Sequence, residues 1–306
     1  SASPVLNRTE ELWSLLYMLD PEVFKSHSQF INTYTYGGKR PRNVDQLHEL
    51  LRPRFIRRLK KDVQPDLPPI NRMVKHHELS ERAEELYNKV LKGIWEMVAE
   101  FDPQGYGGGT TSVTSILAQI TRLKQVCAID TADATADLAT EIIDSSDNGG
   151  KVLIFTHFLP VAAAITQRLG HEAVSTVRRT PADFVSMNPK ERDELFESIR
   201  NDDRVRYIVT TEAAKEGHNL EFCDWVIFND LFWNPEAHTQ AEGRAYGRLS
   251  DPHPIDSYYM LADTDIIKWI WELLQGKMDI VDEAVEGIEA TRDSDGSMAM
   301  ELIQKI

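Results

Sequence analysis

Apolar residues follow two rhythms along this chain. From residue 151 onward they concentrate in short runs, unbroken at 152–155, 207–209 and 225–228 and interrupted by polar residues at 173–177 and 255–261. Runs of this length, rich in β-branched and aromatic residues, predict strands buried on both faces, as in a parallel sheet. Between the runs, apolar positions return every three or four residues, over 161–169, 189–199 and 266–274, and a polar helix follows Pro235. Strand and helix in alternation predict an α/β fold, an open parallel sheet with flanking helices. In such sheets the loops at the carboxyl ends of strands bind ligands. Thr156 and His157 close the first run, Thr210 and Thr211 the third, and Gly217 and Asn219 lie in the loop that follows.

The first half reads differently. Leu12, Leu15, Leu16 and Leu19 form a helical stripe after a start at Asn7 and Glu10, and residues 21–71 are mixed helix and turn. Ser80 caps a helix whose stripe is Tyr87, Val90, Leu91, Ile94, Trp95 and Val98. Residues 116–127 are another helix, and the acidic, alanine-rich 130–150 reads as helix then loop. A mainly α-helical region therefore precedes the sheet. Gly105-Tyr-Gly-Gly-Gly109 follows a helix and lacks a lysine, so it reads as a connector and not a phosphate loop.

The 306 residues, 42% apolar, suffice for more than one domain. Two cysteines, Cys127 and Cys223, argue against a disulfide framework and fit a reducing, intracellular compartment. No apolar run reaches membrane-spanning length, so no membrane partner is expected. The net charge of −15 bears on nucleic-acid binding, which depends on local Lys/Arg density. That density lies at Arg52, Arg54, Arg57, Arg58, Lys60 and Lys61, which read equally well as a phosphate-facing strip or as a solvated helix face with ion pairs.

Several linked motifs narrow the picture. In order they are Thr210-Thr211, Gly217-His218-Asn219-Leu220, Trp233-Asn234-Pro235, Gln240-Ala241 and Arg244. This series resembles motifs V and VI of the SWI/SNF-type superfamily 2 ATPases, which are double-stranded DNA translocases. Residues 1–16 resemble motif III and the helix after it, 51–69 the linker to the helical insertions, and 151–158 motif IV. The resemblance divides the chain into the end of a first RecA-like lobe (1–20), a mainly helical insertion (21–135), a second RecA-like lobe (136–275) and an acidic helical tail (276–306). It departs from the family where Ala214 and Lys215 replace glycines, where Gly247 stands at the second arginine of motif VI, and where Leu249-Ser250 replaces the final Gly-Gln.

The resemblance implies roles. Arg244 and Arg248 would serve the γ-phosphate of ATP, with Gln240, Glu216 and Gly217 beside the nucleotide. Thr156, His157, Thr210, Thr211, Asn219, Arg57 and Arg58 would follow DNA phosphates without reading sequence. Gln240, Arg244 and Arg248 are four apart, hence on one helical face; alternatively Gly247 ends the helix and Arg248 points to solvent.

No Gly-x-x-x-x-Gly-Lys-Ser/Thr occurs, and Asp282-Glu-Ala-Val285 lies in the tail, where it reads as a solvated helix and not a magnesium box. ATP and Mg2+ would thus belong to a parent enzyme and be held mainly by a missing first lobe, in the same or another chain. The expected function is the C-terminal half of an ATP-dependent translocase of remodelling or fork-repair type, nuclear in a eukaryote and cytoplasmic in a bacterium or virus. A stand-alone DNA- or partner-binding module without ATP hydrolysis is the alternative, and an RNA-directed helicase fits the linker and Trp-Asn-Pro less well. The purified chain should release no phosphate from ATP, with or without duplex DNA. Turnover that disappears in Arg244→Ala contradicts this.

Overall fold

The computed structural model describes residues 9–37, 40–54, 69–99, 113–146, 149–214, 217–246 and 254–286. Residues 1–63, with 233–236 and 269–305, make one compact unit. Within it lie α1 (Glu11–Leu19), α2 (His27–Tyr34), the antiparallel pair β1 (Thr35–Tyr36) and β2 (Arg40–Pro41), and α3 (Val44–Leu51). Leu12 and Leu16 of α1 pack with Phe24, Phe30, Leu47 and Leu51. The expected four-leucine stripe is narrower than its sequence pattern. Leu12 and Leu16 share a row one turn apart, whereas Leu15 and Leu19 occupy the adjacent row and stay 38% and 65% exposed. The expected start at Asn7 lies outside the described residues. In the basic strip, Arg54 donates from Nε and Nη2 to Asp20 Oδ2 at 3.1 and 2.7 Å, which holds the Asp20 carboxyl below its ordinary range. One member of the strip is therefore an ion-pair partner; Arg57, Arg58, Lys60 and Lys61 lie outside the described residues.

The second unit, 64–232 and 237–268, carries the large sheet. In chain order its elements are β3 (Ile70–His77), α4 (Glu81–Ala99), α5 (Val113–Asp144), β4 (Val152–Thr156), α6 (Leu159–Leu169), β5 (Ala173–Ser175), the hairpin β6 (Val177–Arg179) and β7 (Phe184–Ser186), α7 (Pro189–Ile199), β8 (Tyr207–Thr211), β9 (Trp225–Phe228), α8 (Pro235–Ala245, from 237 on), β10 (Ile255–Ala262) and the start of α9 (Asp265–Glu286, up to 268). The sheet order is β3-β10-β9-β4-β8-β5, and every neighbouring pair is parallel. This is the α/β architecture that the apolar runs imply. β4 and β8 are buried at every position, as central parallel strands must be.

β3 is the strand that hydrophobic pattern does not reveal. Asn71, Arg72, Lys75, His76 and His77 make it polar, and it survives as the sheet's edge, paired with β10 alone. It falls within the segment expected to be mainly helical. α5 is one helix of 32 residues instead of two pieces, so it runs through the expected boundary at 135. Ala128, Ala132 and Ala139 let it lie close against Val152, Ile154, Val209 and Ile227. α9 likewise crosses the expected boundary at 275 and includes residues 282–285 as helix. On α4, Tyr87 and Ile94 are buried, but Trp95 is half exposed.

α7 begins at Asn188, whose side chain accepts the Glu191 N–H while Glu191 accepts the Asn188 N–H. Gly150, ahead of β4, has φ +131°, and a Cβ there would stand 2.5 Å from Trp225 Cζ3 and 2.9 Å from Asp224 Oδ2. Gly150→Ala should therefore destabilise the fold by more than about 1 kcal/mol, read as a lowered urea midpoint. An unchanged midpoint contradicts the packing described.

Candidate functional site

Parallel register brings the polar ends of three central strands level. Thr156 pairs with Thr211 across β4–β8, and Phe155 pairs with Phe228 across β4–β9, so Asn229 and Asp230 emerge beside Thr156 and His157. The chain order reverses here: β8 lies on one side of β4 and β9 on the other.

Asp230 ties these ends together. Its carboxylate, only 6% exposed, accepts the Thr156 hydroxyl and the His157 N–H, the latter at 3.0 Å. Asn229 is held through its Oδ1, which accepts the Thr135 hydroxyl at 2.7 Å, and its Nδ2, which donates to the Ala128 carbonyl at 3.0 Å. Thr210 shares a 2.8 Å hydroxyl bond with Thr176. Thr156 and Thr210 are fully buried and Thr211 nearly so. The hydroxyls of Thr156 and Thr210 are thus committed inside the protein. His157 keeps about a third of its side chain exposed (32%), with Nδ1 3.4 Å from Glu212 Oε2, an ion-pair separation without hydrogen-bond alignment.

Beneath these loops lies a buried lysine of α5. Lys124 is 1% exposed, and its Nζ donates to the Leu231 carbonyl at 2.6 Å. Burial pulls its pKa down to about 8 against the opposing pull of the Asp230 and Glu212 carboxylates. A signal existed: Ile116, Ile120, Ala128 and Ala132 form a buried row spaced by four, and Lys124 completes it.

The loop after β8 turns at Gly217, whose φ of +81° is the left-handed region that glycine enters without strain. His218 points inward. Arg192 Nε donates to its Nε2 at 3.3 Å, so Nδ1 carries the proton and donates to Asp193 Oδ1 at 2.6 Å. Asn219 is exposed, and its Oδ1 accepts the Glu221 N–H at 2.9 Å.

α8 is oriented by Glu242, which has no exposed surface. Arg72 of β3 donates to it from Nε at 3.0 Å and from Nη2 at 2.6 Å, and the Tyr259 hydroxyl donates at 2.9 Å. Hydrogen bonding to Glu242 raises the Arg72 pKa, and burial, then Glu242, pushes the Tyr259 hydroxyl far up. With Glu242 turned inward, Gln240 and Arg244 lie one turn apart in a half-buried row. The Arg244 carbonyl accepts the Leu220 N–H at 3.0 Å, joining the helix end to the loop after β8. Arg248, Glu216, Arg57 and Arg58 lie outside the described residues.

Among the described residues no cluster of three or more His, Cys, Asp or Glu could hold a metal ion, and no helix is long and apolar enough to cross a membrane. The family description "SNF2-related domain" matches residues 1–132, and "Helicase conserved C-terminal domain" matches 134–248. Among curated proteins, the chain is 26% identical over 300 residues to the Homo sapiens "DNA annealing helicase and endonuclease ZRANB3", covering 94% of this chain and 26% of that protein. It is 27% identical over 306 residues to the Homo sapiens "SWI/SNF-related matrix-associated actin-dependent regulator of chromatin subfamily A member 1", covering 91% and 28%. The chain thus spans about a quarter of the length of these relatives. Among solved structures, "Sulfolobus solfataricus SWI2/SNF2 ATPase core in complex with dsDNA" superposes with TM-score 0.54 at 22% identity, over 90% of this chain and 60% of that one. "Sulfolobus solfataricus SWI2/SNF2 ATPase C-terminal domain" gives 0.52 at 19% identity, over 76% and 92%.

The Glu242 clamp is directly testable. Arg72→Ala leaves a buried carboxylate short of its charged donor and should cost about 1–3 kcal/mol in urea unfolding. A change near zero contradicts the clamp.

Proposed function

The chain belongs to the SNF2-type superfamily 2 ATPases, and on that premise we propose that it forms the C-terminal half of an ATP-dependent double-stranded DNA translocase of remodelling or fork-repair type. The end of a first lobe (1–20), helical insertions (21–135), second RecA-like lobe (136–275) and tail (276–306) are the corresponding divisions. The observation that carries this reading is the placement of Arg244. The buried Glu242 sets the rotation of α8, and the Leu220 N–H bonds the Arg244 carbonyl, so the arginine stands beside the segment that leads from β8 into β9.

A guanidinium and an amide one turn apart, both half exposed, fit the terminal phosphate of ATP. The chemistry of that cofactor is phosphoryl transfer to water, and Arg244 contributes stabilisation of negative charge developing on the phosphate oxygens. Arg248, Glu216 and Gly217 belong to the same reading. By the family resemblance, Mg2+ and most of the nucleotide are assigned to the first lobe. On the DNA side, His157, Thr211, Asn219, Arg57 and Arg58 are proposed as sequence-independent phosphate contacts. Thr156 and Thr210, with buried and bonded hydroxyls, are reassigned to holding the loops in place. The eukaryotic chromatin regulator among the relatives favours a nuclear location.

The test is made in a protein that joins this chain to its first lobe. Arg244→Ala should lower DNA-stimulated kcat on the order of 10³-fold, with duplex affinity little changed. Retention of wild-type kcat contradicts the assignment, and a parallel loss of duplex binding points to a folding defect instead.

A further inference from the structure

We propose that Lys124 is a positioning residue, whose buried ammonium fixes the loops after β8 and β9 and through them sets His157. The proposal rests on the DNA-facing reading of His157. Its basis is a convergence of bonds. Lys124 Nζ donates to the carbonyl of Leu231, the residue directly after Asp230. The Asp230 and Glu212 carboxylates both act on this ammonium. The same two carboxylates meet His157: Asp230 accepts its N–H at 3.0 Å, and Glu212 lies 3.4 Å from its Nδ1. One cation thus balances both anions that flank the histidine.

A purely structural role accounts poorly for a lysine here. Every other residue of the row, Ile116, Ile120, Ala128 and Ala132, is apolar, and a buried charge is costly even when paired. The pH dependence separates the two roles. The folded pKa, about 8, lies below the ordinary 10.5, so the protonated lysine opposes folding below pH 8, and this penalty disappears as pH rises from about 8 toward 10.5. In the folded chain the charge that balances Asp230 and Glu212 is lost around pH 8, at the start of that rise, and positioning weakens with it. Fold stability and loop order therefore move in opposite directions.

The experiment measures amide exchange at His157 and Phe158 in the wild-type chain, Lys124→Met and Lys124→Arg, alongside thermal melts and duplex affinity. At about pH 7, Lys124→Met should lower protection at these two amides by about tenfold or more while Ile154 and Val209 in the sheet stay protected. Lys124→Arg, which keeps a cation at high pH, should retain protection. Between about pH 7 and about pH 9.5 the wild type should lose this protection while its Tm rises relative to Lys124→Arg. Unchanged protection in Lys124→Met overturns the proposal, as does uniform loss that includes Ile154 and Val209. If Lys124→Met does not fold, the wild-type pH series against Lys124→Arg decides alone, and flat loop protection across it overturns the proposal. Duplex affinity should fall with loop protection. A wild-type chain whose loops respond as stated but which binds no duplex refutes the DNA-facing reading and leaves the positioning role standing.

Discussion

A carboxylate buried at the end of a parallel sheet must be hydrogen-bonded, and Asp230 meets that demand with groups from a neighbouring strand. It takes the Thr156 hydroxyl and the His157 N–H, so the ends of β4 and β9 cannot separate without exposing an unsatisfied charge to an apolar surrounding. Asn229 adds a second tie, reaching Thr135 and Ala128 on α5. The loops that a ligand would meet are thereby fixed by polar groups facing inward, and His157 is what remains turned partly outward.

α8 obeys the same rule at a second point. Glu242 lies inside, satisfied by Arg72 from the edge strand and Tyr259 from its neighbour. That single buried acid sets the rotation of the helix, which decides where Gln240 and Arg244 stand. The bond from Leu220 to the Arg244 carbonyl then couples the arginine's helix to the loop after β8. Groups proposed to meet nucleotide and groups proposed to meet DNA are so carried by one sheet.

The strands with continuous apolar runs were legible because burial on both faces removes polar residues from them, and β4, β8 and β9 follow those runs closely. β3 was not, because an edge strand tolerates Arg72, Lys75 and His76. Of the site, His157, Asn219, Gln240 and Arg244 were reached through linked motifs. Asp230 and Glu242 were not singled out, since an acid's burial depends on partners distant in sequence: Thr156 lies 74 residues from Asp230, and Arg72 lies 170 from Glu242. Thr156 and Thr210 show the converse. Their place at strand ends was legible, but the inward direction of their hydroxyls depends on Asp230 and Thr176.

The account's central claim is that Arg244 faces nucleotide while the loops after β4 and β8 face DNA. A structure of the two-lobe protein with duplex DNA and ADP–aluminium fluoride tests this most directly. The account predicts the Arg244 guanidinium hydrogen-bonded to the fluoride group and His157 against a DNA phosphate. An Arg244 side chain directed to solvent, with the loops after β4 and β8 away from the duplex, contradicts it.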